Sequence, residues 1–268
     1  MQPERKDLDD LARMALLKGI SRNTFLYDSL VLKGGLALWY AYDSPRRSFD
    51  VDLDTTRSYP RVVSQELDQK LVRLSYALHE ALQTSLPLTP FRDLRIQKRR
   101  LSDEIPTLMA HIGYATSHTR NHPAVTGTVP VQVTLCEVVC ESTERARGGV
   151  SLHVPVIEDI LAEKLKAMAQ QIPRRRSRST DVFDIWYFTR RSAEKLRREV
   201  IGEYFHRKMQ AVSIEPSADL MIGDVARAYA GDAYASLAAS LPADFALPPF
   251  GEAFAAVREI VDDMGLLI

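Results

Sequence analysis

The feature that most constrains this chain is the regular alternation of apolar and acidic residues between positions 49 and 54. Phe49, Val51 and Leu53 alternate with three aspartates. A period of two predicts a half-buried strand whose apolar side chains face a core and whose carboxylates share the opposite face. Successive carboxylates on that face lie roughly 6–7 Å apart. They repel each other and cost stability unless a cation neutralises them. The pattern therefore predicts either a solvated acidic strand or a cation site.

A pair of glycines, Gly34 and Gly35, lies upstream between the short apolar run Leu30–Leu32 and a predicted helix, Leu36–Tyr42. A Gly-Gly turn that opens a helix presents backbone N–H groups and the positive end of the helix dipole, which suits phosphate. Phosphate donors beside paired carboxylates for a divalent metal are typical of a nucleoside triphosphate (NTP) site. The two features together favour an NTP site over a solvated strand.

These residues resemble the first motif of the DNA-polymerase-β-type nucleotidyltransferases, in which a glycine turn, a short helix and Asp-h-Asp follow in order. Within that superfamily the chain most resembles the AbiEii-type toxins of bacterial toxin–antitoxin systems, including the MenT group. That family writes the motif as Lys-Gly-Gly followed by Arg-x-Ser-x-Asp-h-Asp. Lys33 begins it here, and Arg46, Ser48, Asp50 and Asp52 complete it.

A second block of resemblance lies more than a hundred residues further along the chain. It contains a helix lysine, Lys164, an arginine-rich loop, and then Asp181 and Asp184. These two aspartates are three residues apart, so they share a helix face. The family's Arg-Asp-x-x-Asp pattern is incomplete because Thr180 precedes Asp181, with Arg178 the nearest upstream arginine.

The resemblance implies a metal-dependent nucleotidyltransferase that uses Mg²⁺ or Mn²⁺. Its catalytic residues would be Asp50, Asp52, Lys164 and Asp181. Asp50 and Asp52 are the expected metal ligands, because Mg²⁺ binds carboxylate oxygens together with substrate phosphates. The expected nucleotide-binding residues are Lys33, Gly34, Gly35, Arg46 and Ser48. For Lys33 the sequence leaves two interpretations open, which are contact with phosphate and a solvent-exposed position at the strand end.

Enzymes of the polymerase-β type usually carry a third carboxylate on a neighbouring strand. The candidate strand Val131–Leu135 has Thr134 at the aligned position, and Glu137 lies three residues further along. Asp54 shares the face of the two expected ligands but lies one step further along its own strand. The sequence therefore supports two metal carboxylates and leaves the third open.

The acceptor is expected to be RNA, and in MenT-like relatives it is the 3′ end of tRNA. Lysine plus arginine and aspartate plus glutamate each number 35, so the net charge does not indicate a nucleic-acid partner. A local arginine cluster does, and its expected RNA-binding residues are Arg174, Arg175, Arg176 and Arg178. The alternative for this cluster is a solvated surface loop. A cognate antitoxin is the further partner that the resemblance implies.

Two other functions stay open at this stage. One is nucleotidyl transfer to a small molecule of the antibiotic type, which needs no grip on an RNA backbone. The other is a catalytically inactive NTP- or RNA-binding module, which the threonine at position 134 would permit. Turnover with labelled NTPs and RNA distinguishes these functions from the favoured one.

The predicted fold class is α+β, with a nucleotidyltransferase-type mixed sheet, flanking helices and a C-terminal helical domain. A stripe of leucines predicts a long amphipathic helix from Arg61 to Leu82, Pro130–Val139 is a predicted strand, and the pair Gly148-Gly149 is a predicted turn. We expect a catalytic domain over residues 1–156 and a helical domain over 157–268 that supplies the second motif, with the site in the cleft between them. No apolar run is long enough for a membrane span and no signal peptide is evident. With two cysteines, Cys136 and Cys140, expected to be reduced, we predict a cytoplasmic protein.

Overall fold

The computed structural model of this chain describes residues 5–56, 65–85, 94–99, 107–114, 127–135, 137–191, 196–212 and 214–266. Cys136 and positions 61–64, where the helix after the acidic strand was expected to begin, lie outside these ranges. The chain divides into two compact units. The first comprises Met1–Ala41 and Phe49–Val154, and the second comprises Tyr42–Ser48 and Pro155–Ile268. The short segment Tyr42–Ser48 therefore belongs with the C-terminal helices, although the predicted boundary places it in the first domain.

The first unit combines helices with a mixed sheet. Its helices are α1 (Arg5–Arg22), α2 (Thr24–Ser29), α3 (Gly34–Tyr42) and α4 (Gln65–Ser85). Its strands are β1 (Leu30–Lys33), β2 (Val51–Thr55), β3 (Leu94–Arg99), β4 (Thr107–Tyr114), β5 (Gly127–Thr134), β6 (Ser142–Arg147) and β7 (Val150–Pro155). Five strands form one sheet in the order β1-β2-β5-β4-β3. The β2–β5 pair is parallel and the other pairs are antiparallel.

Apolar residues at helix and strand spacing build the core of this unit. On α4, the predicted leucine stripe is buried at Leu67, Leu71, Leu74 and Leu78. These residues recur every three or four positions, which places them on one helix face. Helix α1 packs against α4 and against β5. The mixed sheet with flanking helices is the predicted fold class.

The acidic strand departs from the predicted alternation at both of its ends. Val51 and Leu53 are buried as expected, but β2 begins only at Val51. Phe49 precedes the strand, so it does not follow the period of two and is 44% exposed rather than in the core. Its ring lies under the guanidinium of Arg13, 4.9 Å from the ring centroid. At the other end Asp54 is buried rather than accessible to solvent.

A separate two-stranded hairpin joins β6 to β7 through Gly148 and Gly149. Both glycines have positive φ, 58° and 76°, which two-residue hairpin turns favour. The turn was predicted, but β6 was not, because five of its six residues are exposed and show no apolar alternation. The predicted strand at 130–139 ends instead at Thr134.

The second unit is helical. Its elements are α5 (Ile157–Ala169), α6 (Ser179–Arg191), α7 (Arg198–Met209), α8 (Ala218–Ile222), α9 (Asp224–Gly231), a 3₁₀ helix (Tyr234–Ser240) and α10 (Phe250–Asp263). Hydrogen bonds join Tyr42–Ser48 to Pro155, where the second unit resumes, and to its helical elements. The Tyr42 hydroxyl donates to the carbonyl of Pro155 at 2.7 Å, and the Tyr187 hydroxyl donates to the carbonyl of Asp43 at 3.2 Å. The backbone N–H of Arg47 donates to the carbonyl of Ser240 at 2.9 Å.

None of the helices in the part of the chain that the structure describes has the length and apolar character needed to cross a membrane.

Candidate active site

The glycine turn lies directly against one of the predicted metal ligands. Gly34 follows β1 immediately, begins α3, and has a φ of +69°. A Cβ atom at this position would lie 2.7 Å from Oδ2 of Asp52. Because the backbone conformation and this close approach both disfavour a side chain, the position requires glycine. The structure thus brings the carboxylate of Asp52 to the turn that the sequence predicts as a phosphate site, and Gly35 occupies the second position of α3.

The three aspartates of the alternating segment have three different environments. Asp50 is exposed and precedes β2, Asp52 is partly exposed within it, and Asp54 is buried near its end. Ser48, which was predicted to bind nucleotide, is partly exposed and belongs to the second unit. Of the three, Asp50 and Asp52 have carboxylates with access to solvent, and their role as metal ligands stays a prediction.

Asp54 is held by Lys33 in a cluster that the sequence did not predict. Nζ of Lys33 lies 2.6 Å from Oδ1 of Asp54, 2.5 Å from Oε2 of Glu137 and 3.1 Å from Oγ1 of Thr134. We refer to these four residues as the Lys33 cluster. The Lys33 side chain is 13% exposed, so the interpretation as a solvent-exposed strand end is wrong. Contact of Lys33 with phosphate stays a prediction.

The residues around Asp52 fit a divalent metal only in part. On β5, the partner of Asp52 is Gln132 and the partner of Asp54 is Thr134, so neither register position supplies a further carboxylate. Within the described ranges no group of three or more His, Cys, Asp and Glu side chains is placed to hold a metal ion. Two accessible carboxylates are nevertheless sufficient for Mg²⁺, which commonly binds one or two carboxylates and takes its other ligands from water and phosphate.

The second predicted motif forms a buried ion-pair network around Asp184, within the second unit. Arg46 donates two hydrogen bonds to Asp184, from Nε to Oδ1 at 2.9 Å and from Nη2 to Oδ2 at 2.6 Å. Nζ of Lys164 lies 2.7 Å from Oδ2 of Asp184 and 2.8 Å from Oδ1 of Asp181. We refer to Arg46, Lys164, Asp181 and Asp184 as the Asp184 cluster. Asp181 and Asp184 do share a face of α6, as their spacing predicts.

Burial and neighbouring charges shift the pKa values of Lys164 and Asp184 in opposite directions. Burial by itself would lower the pKa of Lys164, but the carboxylates of Asp181 and Asp184 outweigh it and hold that pKa above its usual value. Burial would likewise raise the pKa of Asp184, but Lys164 and Arg46 hold it below its usual value. Lys164 and Asp184 therefore both stay charged at neutral pH.

The position of Lys164 changes how its role must be understood. A helix lysine is commonly a surface residue whose charged end reaches solvent. Here Lys164 is 6% exposed and its ammonium is matched by two carboxylates. Arg46, predicted to neutralise a triphosphate, is also buried and committed to Asp184. Asp184 was not among the predicted site residues, although its spacing from Asp181 pointed to it.

The predicted RNA-binding arginines lie between α5 and α6. Arg174, Arg175 and Arg176 are exposed, and the backbone turns sharply at Arg175, where φ is +50°. Arg178 is partly buried, with Nη1 3.7 Å from Oδ2 of Asp181. The loop therefore presents three arginines to solvent and directs the fourth toward the Asp184 cluster.

Two structures from Helicobacter pylori have a similar fold. JHP933 has a TM-score of 0.56 and 16% sequence identity, over 99% of this chain and 95% of that chain. The second has a TM-score of 0.51 and 15% identity, over 98% of this chain and 96% of that chain. MenT4, a nucleotidyltransferase toxin from Mycobacterium tuberculosis, has a TM-score of 0.49 and 17% identity, over 97% and 92% of the two chains. No curated protein matches the sequence.

A family model provides the decisive comparison. The model of the nucleotidyl transferase AbiEii toxin of type IV toxin–antitoxin systems matches residues 15–256. This match includes the glycine turn, both expected metal ligands, the Lys33 cluster and the Asp184 cluster. It confirms the resemblance that the two motifs predict. The chain belongs to the AbiEii family of nucleotidyltransferase toxins.

Proposed function

We propose that this chain transfers a nucleotide from an NTP to the 3′ end of a tRNA, with Mg²⁺ or Mn²⁺ as cofactor, and that a cognate antitoxin restrains it. The observation that carries the donor half of this proposal is the approach of the Asp52 carboxylate to the Gly34 turn. In this arrangement a carboxylate that could bind metal would lie beside the N–H groups of a helix N-terminus, which suit phosphate. An NTP bound to a divalent metal ion needs both.

The proposed reaction is a displacement at the α-phosphorus. The acceptor hydroxyl oxygen forms a bond to the α-phosphorus while the bond to the oxygen bridging to the β-phosphate breaks. Pyrophosphate leaves, and the hydroxyl proton is released to solvent. Asp50 and Asp52 would hold the metal, which when bound neutralises charge on the phosphates. The N–H groups of Gly34 and Gly35 would bind phosphate oxygens.

Within the second unit, Lys164 is the residue proposed to contact the triphosphate. Its ammonium has two carboxylate partners, and they differ in accessibility: the Asp184 side chain is fully buried, whereas that of Asp181 is 11% exposed. Asp184 is also held by Arg46. We therefore expect a phosphate group to compete with Asp181 rather than with Asp184 for Lys164. Lys164→Ala should raise the NTP concentration needed for half-maximal transfer and lower the maximal rate.

The test of the donor and acceptor uses the full chain with each of the four labelled NTPs and total cellular RNA. Parallel reactions contain Mg²⁺, Mn²⁺ or EDTA. The expected result is label at the 3′ end of tRNA from at least one NTP, and none in EDTA. Label on small molecules alone would establish the small-molecule transferase instead. NTP binding without any transfer would establish an inactive binding module.

The acceptor half of the proposal rests on the exposed arginines of the loop. Replacing Arg174–Arg176 with alanine should reduce the salt dependence of RNA binding by about 2 log units per log unit of salt, at roughly 0.7 for each single-strand phosphate contact. Binding of NTP should survive. The matched control replaces three exposed arginines elsewhere in the same unit, Arg207, Arg227 and Arg258. An equal loss of salt dependence in both triple variants would assign the effect to net charge and contradict a specific loop contact.

The antitoxin is tested genetically. A gene for it is expected beside the toxin gene, and its co-expression should relieve growth arrest caused by this chain. Growth arrest that persists with every neighbouring gene co-expressed would contradict this part of the proposal.

A further inference from the structure

The Lys33 cluster joins three separate parts of the first unit at one ammonium group. Lys33 is the last residue of β1, Asp54 lies on β2, and Glu137 follows β5. The side chains of Asp54 and Glu137 are 5% and 8% exposed, so the Lys33 ammonium compensates charge on two buried carboxylates. Both carboxylates are less exposed than that of Asp181, the partner of Lys164 that is expected to give way to phosphate, so phosphate is not expected to displace either of them from Lys33. Here the ammonium already has two acidic partners and a hydroxyl, all within 3.1 Å.

The residue after Lys33 is Gly34, whose placement tolerates little error. Lys33 pairs with Asp52 in the β1–β2 register, and the Asp52 carboxylate lies close enough to Gly34 to exclude a Cβ atom. The side chain of Lys33 crosses to Asp54 and Glu137, so it fixes the end of β1 where the turn begins. A displacement of about 1 Å in a catalytic arrangement can lower the rate a hundredfold. Anchoring of Lys33 therefore bears directly on the distance between the turn and Asp52.

We propose that Lys33 and Glu137 form a positioning pair that holds the Gly34 turn against the Asp52 carboxylate, and that Lys33 is not a phosphate ligand. This inference rests on the proposed nucleotidyl transfer. It gives Glu137, which belongs to neither sequence motif, a role in the reaction, and it replaces the phosphate-binding role predicted for Lys33.

The central test is a kinetic comparison of Glu137→Gln, Lys33→Met and the double variant. As a positioning residue, Glu137 should affect the rate rather than nucleotide affinity. We expect Glu137→Gln to lower kcat about tenfold, in the range found for groups that orient metal ligands, with less than a threefold change in KM for the NTP. The double variant should lose no more than the worse single variant, because the two residues act together.

Phosphate binding by Lys33 predicts a different pattern. Lys33→Met would then raise KM for the NTP with kcat little changed, and Glu137→Gln would leave kcat unchanged or improve affinity by releasing the ammonium. Either result overturns the proposal. Lys33→Arg provides the conservative rescue: it keeps the charge and a partner for Glu137, so it should retain more kcat than Lys33→Met.

The exposed pair Glu66–Lys70 on α4 is the matched control in the same unit, with 2.7 Å between its charged atoms. Glu66→Gln and Lys70→Met should leave kcat and KM at wild-type values. Circular dichroism and thermal melting establish that each variant is folded. If Lys33→Met fails to fold because it removes a cation from two buried carboxylates, Glu137→Gln and Lys33→Arg decide the question.

Hydrogen exchange separates failure of this proposal from failure of the proposed function. Exchange at the amides of residues 34–36 should be faster in Glu137→Gln than in the wild type, and unchanged in Glu66→Gln. This measurement needs no turnover. A wild-type protein that transfers no nucleotide contradicts the proposed function, whereas unchanged exchange and unchanged kcat in Glu137→Gln contradict the positioning pair.

Discussion

The Asp184 cluster in the second unit and the acidic residues of the first unit neutralise charge in different ways. In the Asp184 cluster, two cations match two carboxylates through buried contacts of 2.6–2.9 Å. In the first unit, one ammonium, that of Lys33, is shared between Asp54 and Glu137, while Asp50 and Asp52 are accessible to solvent. The first arrangement is balanced within itself. In the second, Asp50 and Asp52 are accessible to solvent, where the proposed metal would bind.

This difference suggests that the Asp184 cluster stabilises the fold and that the acidic residues of the first unit bind a ligand. A balanced buried cluster holds protein segments in place and needs no ligand to be stable. An acidic site with accessible oxygens gains stability when a divalent cation binds. Removal of metal should therefore affect the first unit and leave the Asp184 cluster unchanged, whereas removal of a single buried charge should have the opposite effect. Four predictions test this contrast.

The largest effect is expected for Asp184→Asn. Loss of this carboxylate leaves Arg46 and Lys164 buried without their shared partner, and breaking a buried pair typically lowers the free energy of unfolding by about 3–5 kcal/mol. Urea denaturation measures it. The control is Glu259→Gln, which removes an exposed partner of Arg190 and should cost at most about 1 kcal/mol. An equal loss of unfolding free energy in the two variants would show that the buried Asp184 cluster stabilises the protein no more than an exposed ion pair.

The next effect concerns the expected metal ligands. Asp52→Asn and Asp50→Asn should each lower nucleotidyl transfer more than about a hundredfold, or about 2.7 kcal/mol of transition-state stabilisation. Neither variant should lose stability, because removal of a charge relieves repulsion between neighbouring carboxylates. Asp28→Asn, an exposed change in the same unit, should have wild-type activity. Normal turnover by Asp50→Asn would exclude a mechanism with two carboxylate ligands.

A smaller effect is expected on adding Mg²⁺ without nucleotide. At ten times its dissociation constant, a ligand that binds only the folded state raises the free energy of unfolding by about 1.4 kcal/mol. Thermal unfolding with Mg²⁺ and with EDTA measures this difference. Asp52→Asn should abolish the stabilisation, whereas Asp184→Asn, although less stable, should retain it. If Asp184→Asn also abolishes the stabilisation by Mg²⁺, metal binding at Asp52 is not independent of the Asp184 cluster.

The smallest effect is the pH dependence of stability. Because the pKa of Asp184 is lowered in the folded state, its contribution is present above about pH 4 and is lost as the pH falls through the lowered pKa. One proton contributes at most about 1.4 kcal/mol per pH unit. The pKa of Lys164 is raised, so its contribution is present below about pH 10.4 and is lost as the pH rises through the raised pKa.

Comparison of the free energies of unfolding of wild type and Asp184→Asn between pH 3 and 7 checks the acid limb. The difference between the two proteins should shrink as the pH falls. A difference that stays constant over this range would contradict the lowered pKa of Asp184.

Local patterns made much of the fold predictable. The leucine stripe of α4, the strand before the glycine turn and the helices after residue 156 all follow from spacing and breaker residues. Both motif blocks identified the family. In the alternating segment, the prediction that Val51 and Leu53 face the core is confirmed. The same prediction for Phe49 is wrong, because the strand begins two positions later.

The ion pairs were not predictable from spacing. Lys33 and Glu137 are 104 residues apart, and Arg46 and Asp184 are 138 apart. The sequence contains many acidic residues that could pair with each cation, and only the tertiary structure determines which of them it contacts. The same limit applied to Asp54, whose strand position did not reveal its burial beside Lys33. The sequence pattern therefore predicts the type of each element better than it predicts which side chains pair.

The path of the chain limits which parts of this protein can be exchanged by recombination between related genes. Because Tyr42–Ser48 belongs with the C-terminal helices, the polypeptide passes between the two units three times. A recombination event with one crossover near residue 155 would join Arg46 of one parent to Asp184 of another. Exchange of the whole helical unit needs two additional crossovers around seven codons. We therefore expect the two units to evolve together, rather than to be exchanged separately between related proteins.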